Sequence, residues 1–136
     1  MPASPGRSRS EITRGVAAGR TQFSLHLTQR HKVWLNWDGK FLMGPNYLRF
    51  LSAVHRSGTI REGGHAVGWS YRTCLNRLRR MEHALGRPVL VTTRGGTAGG
   101  GARLTAETRR LVRIFDQWQR DVERLSNRAF KKALRS

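Results

Sequence analysis

The sequence predicts a mainly α fold with small β-hairpins: a winged helix-turn-helix with a long C-terminal dimerisation helix. Three observations predict it. Three helical segments between residues 45 and 86 are joined by tight turns, a glycine-rich hairpin follows the third, and an apolar 4-3 repeat runs along the last thirty residues. At 136 residues the chain has room for one compact domain with tails and for no second core.

Residues 1–30 mix Pro, Ser, Gly, Thr and Arg with few apolar side chains, too few to offset the entropy of ordering the backbone. They are expected to form a basic flexible arm, leaving residues 31–136 as the folded domain. Its first element is a hairpin. Val33-Trp-Leu-Asn-Trp37 and Lys40-Phe-Leu-Met43 flank Asp38-Gly39, and Gly supplies the positive φ that a two-residue turn requires.

Pro45 suits the first turn of a helix, and Tyr47, Leu48, Phe50, Leu51 and Val54 recur behind it at helical spacing until Ser57-Gly58. Thr59 with Glu62 three positions on has the spacing of a capping box, which starts a second helix. That helix must pass through Gly63-Gly64, each unfavourable by roughly 0.8 to 1 kcal/mol relative to alanine, so it is expected to be the weakest of the chain. Ser70 caps a third helix, with Cys74, Leu75, Leu78, Met81 and Leu85 along one side and Arg72, Asn76, Arg77, Arg79 and Arg80 elsewhere. Gly86 and Pro88 end it.

Val89–Thr93 and Ala102–Leu104 then read as two strands joined by a loop with five glycines in seven positions, the wing. Thr105 starts the last helix, expected over about 105–132. Leu111, Phe115, Trp118, Val122, Leu125 and Ala129 form a strict a/d seam along it, so these side chains are expected to pack on a second copy. The lone Cys74 sits among leucines as a small buried hydrophobe, and the absence of disulfide partners fits the cytoplasm.

Charge narrows the function. Twenty-six Lys and Arg against eight Asp and Glu give +18, and residues 33–104 alone hold eleven basic against three acidic side chains, so the folded part itself seeks a polyanion. No window is long and apolar enough for a membrane span or a secretory signal. The glycine loop lacks the lysine of a phosphate-binding P-loop and fits no dinucleotide pattern. The five histidines show no metal-ligand spacing, and no acid pair or nucleophile is set up for catalysis. A binding protein is expected, with no enzymatic activity, no cofactor and no metal.

Gly58-Thr-Ile-Arg-Glu-Gly-Gly-His-Ala-Val-Gly-Trp-Ser-Tyr-Arg72, then Ala84-Leu-Gly-Arg-Pro-Val-Leu-Val91, then Arg94 through Gly-Gly-Gly-Ala-Arg-Leu-Thr105, occur in one order and spacing. Together they resemble the N-terminal winged-helix domain of ModE-type molybdate-responsive regulators, itself similar to the DNA-binding domain of LysR-type regulators. The likeness covers roughly residues 33–130. It implies that the third helix and the wing touch DNA, and that the N-terminal strands and last helix build a dimer. Family members carry C-terminal molybdate-binding domains; the chain ends at Ser136 without one, so no molybdate site is expected. Gly63 and Gly64 stand where the family usually has alanines.

The reading is a homodimer that binds double-stranded DNA sequence-specifically and regulates transcription, with the third helix in the major groove. A low-specificity nucleoid-associated coat protein is the alternative. The expected DNA-contacting residues are Ser70, Tyr71, Arg72, Thr73, Asn76, Arg77, Arg80, Arg94, Gly95, Gly96, Thr97 and Arg103. Arg72, Arg77 and Asn76 are candidates for base edges, and each is equally readable as a phosphate contact. The expected dimer interface is Trp34, Leu111, Phe115, Trp118, Val122 and Leu125.

Overall fold

The computed structural model describes residues 22–94 and 100–136. Residues 31–123 pack as one unit; residues 22–30 and 124–136 are the described part of a second. The elements in chain order are α1 (22–26), β1 (Leu35–Trp37), β2 (Lys40–Met43), α2 (Pro45–Ser57), α3 (Ile60–Val67), α4 (Tyr71–Leu85), β3 (Leu90–Thr93), β4 (Gly101–Leu104) and α5 (Ala106–Leu134). None of the described helices is long and apolar enough to cross a membrane.

The first hairpin turns where Asp38-Gly39 predicts, both residues taking positive φ (46° and 77°), which matches the twist of the strands they join. β1 and β2 pair antiparallel with an irregularity between Leu35 and Asn36. Gly58, Gly68 and Gly86 each close a helix in the left-handed region. The Thr59 hydroxyl accepts from the Glu62 amide at 3.2 Å. The reciprocal half of the expected capping box is replaced: the Thr59 amide donates to the Ser57 hydroxyl, and the Glu62 carboxylate lies 3.7 Å from His65.

The core is built by α2 through Tyr47, Leu48, Phe50, Leu51 and Val54. Against these pack Cys74, Leu78 and Met81 from α4, Val89 and Leu90, Leu104, and Phe115 from α5. The weak second helix is explained by what it touches. Gly63 and Gly64 are buried, and a Cβ on Gly63 would lie 2.4 Å from the Val54 side chain. On Gly64 it would lie 2.7 Å from the Cys74 sulfur and 2.8 Å from the Trp69 carbonyl oxygen. The glycines are therefore what lets α3 approach its neighbours, a gain set against their poor propensity.

β3 and β4 form the second hairpin with four paired positions from Leu90↔Leu104 to Thr93↔Gly101. Backbone contacts fix its base: the Ala102 amide donates to the Gly58 carbonyl at 2.7 Å, and the Val89 amide donates to the Glu82 carboxylate at 3.1 Å. Thr105 ties the start of α5 to the same place, its amide donating to the Val89 carbonyl at 3.0 Å and its hydroxyl bonding Thr108 at 2.8 Å.

Two expectations need correction. Residues 22–30 are not wholly a loose arm: 22–26 are helical, and the Gln29 side chain bonds Ser126 at 2.9 Å and also Asn127. Residues 1–21 of the expected arm lie outside the described residues. One member of the expected dimer seam is also not available to it. Phe115 is fully buried in the protomer's own core, because α5 must close that core before it can present a face outward. Trp118 packs edge-on against it at 5.8 Å, and the exposed apolar side chain beside Trp118 is Ile114, which the strict heptad omitted.

Candidate anion-binding face

α4 owes its position to two local choices in the sequence. Its buried side carries Cys74, Leu78 and Met81, and its start is fixed by Ser70, whose hydroxyl accepts from the Thr73 amide at 3.1 Å. Burial pushes the Cys74 thiol above its ordinary value, so it stays a neutral packing group. With that side committed to the core, Arg72, Asn76, Arg79 and Arg80 are exposed, and Thr73 and Arg77 are half-buried.

Thr73, Asn76, Arg77, Arg79 and Arg80 line one open concavity of about 500 Å³. Four of these five are among the expected contact residues; Arg79 completes the set. These residues carry three guanidinium groups, a hydroxyl and an amide. Among the described residues no carboxylate pairs with any arginine of α4; Glu62 pairs with His65 and Asp116 with Arg120. Such a donor set suits the oxygens of an anion, because guanidinium N–H groups come in forks that match two oxygens at once. It does not suit a bare metal ion, and no cluster of His, Cys, Asp and Glu able to hold one exists among the described residues.

The other expected residues are distributed differently. The Ser70 hydroxyl, besides capping α4, donates to the Thr73 hydroxyl at 3.0 Å, so its one donor is spent locally. Tyr71 faces a second concavity with Thr59, Arg61, Thr92 and Thr93, and the Arg61 guanidinium stands 5.0 Å above its ring. Arg94 and Arg103 are exposed on the second hairpin, Arg103 opposite Val91 in the ladder. Gly95, Gly96 and Thr97 lie outside the described residues. Arg77 is not the freely projecting reader expected: its guanidinium sits 6.0 Å from the Tyr47 ring and 5.8 Å from the Trp69 ring and donates to the Tyr47 hydroxyl at 3.4 Å.

Arg61, Tyr47 and Trp69 are the participants that sequence reasoning missed or placed only in packing. Nothing local signals them, since Arg77 and Tyr47 stand thirty positions apart. Of the expected dimer residues, Trp34 is 55 % exposed, Leu111 and Val122 are half-buried, and Leu125 is 57 % exposed.

No family model matches the chain. It is similar to the molybdenum-pterin-binding protein MopB of Rhodobacter capsulatus, 33% identical over 92 residues, which are 68% of this chain and 34% of MopB. It is 32% identical over 101 residues to the molybdenum transport protein ModE of Azotobacter vinelandii, covering 71% and 37% of the two chains. Against the DNA-binding transcriptional dual regulator ModE of Escherichia coli K12 it is 29% identical over 82 residues, 60% and 31% of the two. The chain thus spans about a third of the length of these relatives.

The likeness to ModE-named transcriptional regulators stands. Its restriction to a DNA-binding domain without a molybdenum ligand does not, because MopB is named for binding a molybdenum pterin. The expectation of no molybdate site is corrected on that finding. So is the function drawn from it, a sequence-specific duplex-binding homodimer or a low-specificity nucleoid coat. The physical reason lies in the side chains themselves: an arginine fork matches a pair of oxygens on a tetrahedral oxyanion as well as on a phosphodiester, so a basic helix face does not by itself specify a duplex.

Proposed function

We propose that this chain is an oxyanion-binding module of a molybdenum-linked transcription regulator, taking molybdate or the phosphate of a molybdenum pterin on the basic face of α4. The observation that carries the reading is the concavity lined by Thr73, Asn76, Arg77, Arg79 and Arg80 with no carboxylate among them. The net charge of +18 draws anions to the whole surface, and the concavity brings residues that carry N–H and O–H donors to one place. Binding there is recognition without catalysis.

The order of three helices, a hairpin and a long helix supports a winged helix-turn-helix scaffold for residues 31–123. On the same reading Trp34 and Trp118, with Ile114 in the place expected of Phe115, form the surface through which two copies pair.

Equilibrium dialysis against molybdate at low chloride tests the ligand, with sulfate as the competing oxyanion. The wild-type chain is expected to retain molybdate. Arg79→Ala combined with Arg80→Ala should weaken retention by about tenfold or more, since each charge-assisted hydrogen bond contributes about 1.5 to 3 kcal/mol. Retention of a random DNA duplex with none of molybdate at millimolar concentration would overturn the assignment in favour of a phosphodiester ligand.

A further inference from the structure

We propose that Tyr47 and Trp69 are positioning residues for the anion, acting through Arg77; this rests on the reading of the α4 face given above. The three arginines of the concavity are not equivalent. Arg79 and Arg80 are exposed, whereas Arg77 is half-buried, with its guanidinium carbon 6.0 Å from the centre of the Tyr47 ring and 5.8 Å from that of Trp69. Both separations lie within the range of cation–π attraction.

The cage is itself fixed. Tyr47 belongs to the buried side of α2, and Trp69 lies edge-on to Tyr47 at 5.2 Å and 5.1 Å from Phe50. One Arg77 N–H group is committed to the Tyr47 hydroxyl at 3.4 Å, which sets the rotation of the planar group. A guanidinium carries five N–H donors, so four remain for oxygens.

The consequence is pre-organisation. An exposed arginine surrenders rotamer freedom when it closes on an anion, and an arginine already held by two rings surrenders less. Arg77 therefore sets the position of the anion, and Arg79 and Arg80 close on it from the flexible side. Neither Tyr47 nor Trp69 needs to touch the ligand.

Tyr47→Phe keeps the ring and removes the hydroxyl; Arg77→Lys keeps the charge and removes the planar fork. With molybdate as the probe, the dissociation constant is expected to rise about threefold in Tyr47→Phe, the scale of one net hydrogen bond, and about tenfold in Arg77→Lys. Nitrogen relaxation of the arginine Nε–H groups supplies the readout that a purely structural role would not move. In the wild type Arg77 should be more ordered than Arg79 and Arg80, and Tyr47→Phe should loosen Arg77 alone. A Tyr47→Phe chain that is folded, equally ordered at Arg77 and equally tight for molybdate overturns the cage and leaves the ligand reading intact. A wild type that retains no molybdate ends both.

Discussion

α3 and α5 are both helices, and they are held in place by opposite means. α3 has eight residues, and its two buried positions are glycines pressed against Val54, Cys74 and the Trp69 carbonyl. α5 has 29 residues, roughly 43 Å at 1.5 Å per residue, and buries only Thr108 and Phe115. The short helix is held by close backbone approach, and the long one by a few side chains in its first third, Thr108, Leu111, Val112 and Phe115, of which Phe115 is the largest fully buried. Tight backbone approach makes α3 intolerant of a single added carbon. α5 should tolerate almost any change along its exposed length.

The largest effect should fall on the largest buried side chain of α5. Phe115→Ala empties a fully buried ring site in the core cluster and should lower unfolding free energy by about 4 kcal/mol, within the range for Phe→Ala in a core. Chemical denaturation followed by circular dichroism measures it. A loss under about 1 kcal/mol would mean that α5 is held by something other than this ring.

Gly64→Ala comes next and is sharper, because two terms oppose each other. The methyl group gains roughly 1 kcal/mol of helix propensity and adds overpacking of about 1 to 3 kcal/mol against a backbone oxygen that cannot rotate away. A net loss of about 1 kcal/mol is expected. A stabilised variant would show that α3 and the α4 corner are loosely packed, and the contrast with α5 would dissolve.

The same contrast explains what the sequence could disclose. The Asp38-Gly39 turn, the Thr59 and Ser70 caps and the glycine helix ends are local: each needs only neighbours within four positions, and each stands where the spacing predicts. The role of Gly63-Gly64 was not legible, because the surfaces they meet come from Val54, Trp69 and Cys74 on other segments. The a/d seam was legible as a periodicity, but periodicity does not say which member turns inward; Phe115 does so, and Ile114 takes the outward place. At the candidate site, the basic side of α4 followed from its apolar side by subtraction. The aromatic cage around Arg77 did not, since it joins residues from α2, the corner before α4 and α4 itself.

The smallest effect on the protomer should come from the outward side of α5, where it carries the most information. Ile114 is 48 % exposed and Trp118 stands beside it over the buried Phe115 ring. Ile114→Gln removes an apolar side chain already half in water, so the unfolding free energy of a lone protomer should change by no more than about 0.5 kcal/mol. Burying such side chains between two copies adds roughly 25 cal/mol per Å² of apolar surface, so the same substitution should weaken association well out of proportion to folding. Sedimentation equilibrium over a hundredfold range of concentration separates the two. The wild type should move from protomer to dimer mass, and Ile114→Gln should stay near the protomer. If both associate equally while stability is unchanged, the exposed stripe faces solvent alone, and the length of α5 has a different cause from pairing.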